Sequence, residues 1–385
     1  MIKRHFMLQA LQTSLYRTRV IFLALLAYLA CSLIAVSLHH SVVLTPRLAS
    51  PSPGSSSASV PAQPSSASSE LPAAAASTSS TDAFATSTES TDIEIQGFVA
   101  TSKVLTDLVA QKNPTAAFAK LKSLVAQDPK IAVQCHNLSH AIGDAAYLKY
   151  GSFTAAYAYN DFMCGSGYIH SLVVNAFKET DNPTPIVKEI CAGQDGYCYH
   201  GIGHGLMFFT HNDVPKAVAY CNELNDSEDA ARCSEGVFMQ NFEAGQDDPT
   251  PYVYATDPLR LCRDEPRYKT ACYLYAGSYL ATGWRTNPDI FSLCDASETK
   301  FHWKCISGMG AYLMAVHLGN PKQAEQMCDS AKTLAIQNSC IDGLVSYDLV
   351  NYNSIPTTEA FCASLEVGNR KTCENSLDAR RQFYQ

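Results

Sequence analysis

The sequence predicts an all-α fold: an α-solenoid of disulfide-stapled helix-turn-helix repeats of about 34 residues, set behind an N-terminal transmembrane helix and a disordered stalk. Three observations carry that expectation. Cysteines recur at 164, 198, 233, 272, 305, 340 and 373, spaced by 34, 35, 39, 33, 35 and 33 residues. A second series at 191, 221, 262, 294, 328 and 362 runs in phase with the first. Upstream of both, residues 20–38 are apolar and free of charge, and a tract of Ser, Ala, Thr and Pro follows them.

Residues 1–19 carry Lys3, Arg4, Arg17 and Arg19 and no acidic side chain. The nineteen residues from Val20 to Leu38 are long enough to cross a ~30 Å hydrocarbon layer, and the positive flank keeps the short N-terminus cytoplasmic. The expectation is therefore a single-pass signal anchor with the rest of the chain extracytoplasmic, on the cell surface or the periplasmic side. A cleaved signal peptide is the alternative, but this apolar run is longer than an ordinary h-region and has no clean small-residue exit. Residues 45–93 hold one aromatic, Phe84, and cannot bury enough apolar surface to offset the entropy of ordering, so they read as a disordered stalk. As a coil such a stalk spans roughly 40 Å.

Residues 94–385 are the Cys-rich repeat domain. Its contexts CGSGYIHS, CYHGIGHG, CSEGVFMQ, CISGMGAY and CIDGLVSY each place Gly three residues after the Cys. The copy at Cys272 (CYLYAGSY) departs from the pattern, and the one at Cys373 (CENSLDAR) is polar, as a terminal cap should be. The second cysteine of each unit follows Pro185, Pro215, Pro258, Pro288, Pro321 or Pro356, three of them preceded by Asn or Asp, which reads as a polar cap with Pro in the first helical turn. Each repeat is then a short helix A from the proline to its Cys, a loop, and a helix B beginning near the other Cys. Strand signals are absent. In period and helix count the array resembles tetratricopeptide and Sel1-like repeats. The tetratricopeptide signature residues are not matched, so the resemblance implies no function.

The phase of the repeats favours the pairs Cys191/Cys198, Cys221/Cys233, Cys262/Cys272, Cys294/Cys305, Cys328/Cys340 and Cys362/Cys373, leaving Cys135 with Cys164. Spacing alone does not fix connectivity. Zinc is the competing use of many cysteines, but the two-residue CxxC spacing of structural zinc sites is missing. Disulfides imply an oxidising compartment, in agreement with the topology.

The domain's formal charge, 23 basic against 32 acidic residues, argues against nucleic acid as a partner. Five of its eight histidines fall in the first two fifths: His136, His140, His170, His200 and His204. The pairs in CHNLSH and CYHGIGHG are four apart, which puts both imidazoles on one helix face. With ~100° per residue, the Cys and the Gly three later are expected to face helix A, and positions two and six after the Cys to lie nearly opposite. That opposite face reads Ser166/His170, His200/His204, Glu235/Met239, Leu274/Ser278, Ser307/Ala311 and Asp342/Ser346. Stacked helices ~8–10 Å apart would bring His170 to His200 and His204; His136 and His140 are one residue out of register.

Imidazoles from several helices suit a divalent transition metal, Zn, Cu or Fe, held as one ion with an open position or as two ions. Asp144 and Glu235 are candidate catalytic carboxylates, with Glu243 a weaker one. HExxH and CxxCH are absent, which excludes a zincin and c-type haem. Met207, Met239, Met309 and Met314 read as core or groove lining, His302 and His317 as surface or packing residues. Asn137 and Asn225 match the glycosylation acceptor pattern. The functional expectation is a membrane-anchored binding module whose His-lined face takes a metal ion or polar ligand. The alternatives are a metal-dependent hydrolytic or oxidative enzyme using the same histidines, and a pure interaction scaffold that takes a protein or peptide partner on the solenoid face.

Overall fold

The computed structural model describes residues 86–384, apart from 195, 244–249 and 288. The expected membrane segment at 20–38, its cytoplasmic flank and most of the expected stalk lie outside the described residues. Among the described residues the chain is all-helical without a strand, and no helix is long and apolar enough to cross a membrane.

The helices are α1 (Thr86–Gln111), α2 (Pro114–Val125), α3 (Pro129–Val133), α4 (Cys135–Tyr150), α5 (Phe153–Tyr157), α6 (Gly167–Lys178), α7 (Thr184–Glu189), α8 (Gly196–Phe209) and α9 (Val214–Cys221). They continue with α10 (Ser227–Glu243), α11 (Arg260–Asp264), α12 (Lys269–Ala281), α13 (His302–Val316), α14 (Pro321–Asp329), α15 (Leu334–Tyr352), α16 (Ile355–Ser364) and α17 (Val367–Arg380). Helix α1 begins inside the span read as stalk. No proline falls between Thr86 and Pro114, so nothing in the sequence interrupts that helix.

Proline and polar caps set the starts of the short helices much as expected. Asp213 caps α9 through the Lys216 amide, with Pro215 in the first turn, and Ser354 caps α16 through the Thr357 amide ahead of Pro356. Two units depart from the pattern. Pro258 precedes α11 rather than entering it, and residues Ile290–Cys294 form a 3-10 turn instead of an α-helix. Helix B also starts earlier than its Cys. The lead is two residues at Cys198, where α8 begins at Gly196, and six at Cys233 and Cys340, where α10 begins at Ser227 and α15 at Leu334. Thr333 caps the Ile336 amide at the start of α15. The longer lead puts Cys233 and Cys340 in the second turn, where each meets the end of helix A.

Seven disulfides join the pairs given by the repeat phase: Cys135–Cys164, Cys191–Cys198, Cys221–Cys233, Cys262–Cys272, Cys294–Cys305, Cys328–Cys340 and Cys362–Cys373, with Cα–Cα distances of 5.3–5.9 Å. The last six close loops of 7–12 residues, each worth about 2–3 kcal/mol in the chain-entropy account. The shortest of these loops is the one between Cys191 and Cys198, both wholly buried.

The expected orientation of the glycines is corrected by the structure. Gly three residues after the Cys does not face helix A; it faces the preceding helix B. In the unit of Cys198, Gly201 meets the His170 backbone and the Val173 side chain of α6 rather than α7. A Cβ at Gly236 would collide with the carbonyl oxygen of His200, at Gly308 with that of Leu274, and at Gly343 with that of Ser307. A reciprocal set lies five residues after the Cys: Gly203, Gly277 and Gly310 sit against the carbonyls of Cys233, Cys305 and Cys340 in the following helix. At these glycine–carbonyl junctions consecutive B helices touch backbone to backbone, whereas α8 meets α6 through Val173 and Phe177 and the α15–α17 junction has Val345 and Ser376 in the glycine places. The α10–α12 junction has neither glycine, with Phe238 and Tyr275 in those places, and the two helices touch over a shorter stretch.

The B helices α4, α6, α8, α10, α12, α13, α15 and α17 each pack on the next. The late units also reach the early ones: α15 packs on the turn Cys164–Ser166, where Val350 lies against Gly165, and Gly319 is pressed against Pro129. An open array would confine contacts to neighbours; here the array returns to its first unit beside the histidines.

Two measurements check this arrangement. Gly308→Ala should lower unfolding stability by about 3 kcal/mol, since overpacking against a rigid carbonyl leaves no rotamer to yield. Gly368→Ala, in open space on α17, should be neutral or stabilise by about 0.5 kcal/mol, as read from denaturant midpoints. Alkylation of denatured, unreduced protein should label at most one thiol per chain, Cys31, which lies outside the described residues; labelling of three or more would refute the stapled units.

Candidate metal centre

The sequence places its five histidines on three helices, and the structure brings all five together. His136 and His140 share a face of α4, His170 projects from α6, and His200 and His204 share a face of α8. One set of three nitrogens, from His136, His140 and His170, lies mutually within 4.8 Å, and so does a second set from His170, His200 and His204. The ring of His170 is centred 5.4 and 5.6 Å from His136 and His140, and 5.1 and 4.4 Å from His200 and His204. Cys198 stands two residues before His200, but its sulfur is bonded to Cys191 and belongs to neither set.

Local sequence makes this convergence possible. Helix α8 carries Gly201, Gly203 and Gly205, each unfavourable in a helix by about 1 kcal/mol relative to Ala. Gly201 lies over the His170 backbone and Gly205 against the Phe177 ring, so α8 approaches α6 closely. The expected offset of His136 and His140 is absorbed by the turn before α6. Cys164, Gly165 and Ser166 all adopt left-handed backbone, with φ of 58°, 62° and 59°, so Cys164 stands outside helix B and α6 starts at Gly167.

That turn also aims the Cys164 carbonyl at His136 Nδ1, 2.8 Å away. A carbonyl only accepts, so Nδ1 carries the proton and Nε2 presents its lone pair to the cluster. Ser171 donates its hydroxyl to Asp144 Oδ1 at 3.0 Å, which leaves its oxygen to accept from His140 Nδ1 at 3.3 Å. Asn175 donates to the same carboxylate oxygen at 2.7 Å. The His204 Nδ1 donates to Gln240 Oε1 at 2.8 Å. Acceptors behind the rings are what fix tautomer and orientation in imidazole metal sites. As a result the Nε2 atoms of His136 and His140 face each other at 3.1 Å; those of His200 and His204 lie 3.2 Å apart, with His204 the member oriented from behind. Tetrahedral Zn–N bonds of 2.0–2.1 Å would set adjacent nitrogens about 3.3 Å apart.

Burial holds every ring neutral. Desolvation is the main cause in each case, and it lowers the His136, His140, His170 and His200 pKa values from the ordinary 6.5, the last three well below it. The other imidazoles repel charge as well, and Arg232 adds to the effect at His200. His204 falls to about 4, the Gln240 bond opposing part of the drop. His170 is 1% exposed, and neither of its nitrogens has a hydrogen-bond partner.

Of the candidate carboxylates, Asp144 stands behind His140 through Ser171. Glu235 is paired with Arg232 at 3.0 Å and belongs to neither set, and neither does Glu243, exposed at the end of α10. His302 pairs with Asp295 at 3.3 Å, and His317 packs edge-on to Trp284. Ser171 and Gln240 were not foreseen. Both stand one helical turn beyond the repeat glycine, after Gly167 and Gly236, on the face turned toward the preceding helix B. The residue pattern held that signal once the glycine face is assigned correctly. A cavity of about 240 Å³ opens beside the cluster, lined by His140, Asp144, Ser171, Lys178, His204 and Asn212 among others.

No protein-family model, curated protein or solved structure matches the chain.

The lowered pKa values set a sign for stability against pH. The unfolded chain binds protons on these imidazoles below about pH 6.5, whereas the folded cluster resists them down to about pH 4 at His204. Stability is thus fully present above about pH 6.5 and is lost as pH falls through that window. In chelator-treated protein the denaturant midpoint should drop between pH 7 and 4.5, and the drop should shrink in His200→Gln/His204→Gln. Equal slopes for the variant and the parent would contradict neutral, buried rings.

Proposed function

We propose that the chain is a membrane-anchored, extracytoplasmic α-solenoid whose first units bind a divalent transition metal through His136, His140, His170, His200 and His204. The observation that supports it above all is the approach of Nε2 atoms to 3.1 and 3.2 Å in a buried cluster of neutral imidazoles, three of which are oriented from behind. With Nδ1 of both His136 and His140 committed to acceptors, their lone pairs oppose each other at that distance. A cation bound to both removes the repulsion. Neutral imidazole is also the form that coordinates Zn, Cu or Fe. The proposed anchor at residues 20–38 and the oxidising compartment suited to seven disulfides would place the site outside the cytoplasm.

The adjoining cavity favours a second reading, a metal-dependent hydrolase. A metal-bound water beside His140 and His204 would face a pocket carrying the Lys178 ammonium and Asn212, in which an anionic group of a substrate finds a partner. Asp144 would act there as the residue that orients His140 through Ser171. Turnover of a model ester or phosphodiester that is abolished by chelation and restored by Zn²⁺ would mark the enzyme; none would leave the binding role.

The full chain dialysed against Zn²⁺ and then against buffer should retain at least one equivalent by elemental analysis. The His200→Ala/His204→Ala variant should lose at least one equivalent while keeping its far-UV circular dichroism. Parent protein free of metal, or a variant with the same metal content, would overturn the reading.

A further inference from the structure

We propose that His170 bridges two metal ions, one on each ring nitrogen, so that the cluster is a dinuclear centre joined by an imidazolate. The proposal rests on the metal-binding reading above and assigns the architecture of that same site.

Two triads are present, and His170 is the residue they share. Its surroundings differ from those of its neighbours. An imidazole that serves a single metal keeps its remote N–H on a carbonyl, carboxylate or similar acceptor. His136, His140 and His204 follow that rule, with the Cys164 carbonyl, Ser171 and Gln240 behind them. His170 has no such partner for either nitrogen, although it is 1% exposed. A histidine serving only to pack would be given at least one partner, because an unsatisfied buried donor is costly. Both nitrogens are therefore available inside the cluster, between two preassembled pairs.

The pairs suit this use. Each already presents two Nε2 atoms, 3.1 Å apart in His136/His140 and 3.2 Å apart in His200/His204, and each needs one further nitrogen to become a three-imidazole site. The pair from α4 meets the His170 ring at 61° and 59°, and the pair from α8 stacks on it at 24°, so the second ion requires a turn of the His200 and His204 rings about their side-chain bonds. Metal–nitrogen bonds of ~2 Å on opposite ring nitrogens place the ions about 6 Å apart. Neutral His170 offers one lone pair and one N–H. The first ion takes the lone pair. The second takes the electron pair of the broken N–H bond, and the proton leaves to solvent, so assembly is a ligand exchange without oxidation or reduction. Each ion keeps a coordination position that the three imidazoles do not fill.

The test loads the full chain with Cu²⁺ and compares bound copper with the integrated electron paramagnetic resonance signal. Two copper ions per chain are expected, with a signal well below the copper content, because an imidazolate couples the two spins. His170→Gln should restore the signal to match whatever copper remains. If that variant does not fold, His136→Gln/His140→Gln and His200→Gln/His204→Gln decide the matter: each should hold one copper at full intensity. One copper per chain in the parent, two copper ions at full intensity, or loss of all copper in either pair variant would overturn the bridge. Absence of copper from the parent would instead overturn the metal-binding reading beneath it.

Discussion

Contact between consecutive B helices at the distance of a peptide carbonyl is the constraint from which the rest of the molecule follows. A glycine three residues after the Cys rests on the backbone of the previous unit, and one five residues after it receives the backbone of the next. No side chain separates the helices at those points. Such spacing recovers close dispersion contact and Cα–H···O interactions in place of interdigitated side chains. It also fixes the rotation of each helix about its axis, because a few degrees of turn would drive a neighbouring Cβ into a carbonyl. The disulfides do a separate job. They hold each short helix A, too short to be stable alone, against a helix B whose orientation the glycines have already set.

Fixed rotation is what makes the histidine cluster a definite object. With α6 and α8 held in close approach, side chains two and six residues after the Cys of successive units occupy a common volume. In the first units that volume holds imidazoles. In later ones the same places hold Glu235, Ser307 and Asp342, which find partners of their own, Arg232 for the first and Arg380 for the last. The same register thus yields ion pairs in two later units and uncharged nitrogen donors at one end. The return of α15 onto the Cys164–Ser166 turn supports that end, since Val350 packs on Gly165 and this turn aims the carbonyl that orients His136.

Much of this was legible in the sequence because it is periodic. Cysteine phase gave the hairpins and the pairing, and four-residue spacing gave both imidazole pairs, since each is settled within one repeat unit. What the sequence did not disclose depends on relations between helices. The glycine series, Gly201 after Cys198 included, points to a different neighbour from the one expected, because a helical wheel gives the angle between two residues but not the element each one meets. Ser171 and Gln240 were missed for the same reason: their role exists only when the following helix lies against the preceding one. His136 and His140 were out of register by one residue, and the correction came from three left-handed residues in a row, a conformation that CGS permits without announcing.

The site also concentrates departures from local preference. Helix α8 places three glycines within five residues, the 164–166 turn puts two non-glycine residues in left-handed backbone, and five imidazoles are gathered with one lacking any hydrogen bond. Each departure costs on the order of 1 kcal/mol or more, and here they occur together within one cluster of side chains. Left-handed residues also occur at His211, Tyr268 and Asn353, and buried unpaired polar atoms at Ser234 and Trp284, but only the histidine site combines them with a run of helix glycines among the described residues. The seven covalent staples are what let the array carry that cost. A ligand that binds only the folded cluster would return part of it as RT ln(1 + [L]/Kd). Stability and occupancy would then be one linked quantity, the glycine contacts holding the nitrogens in place and an occupant stabilising those contacts in turn.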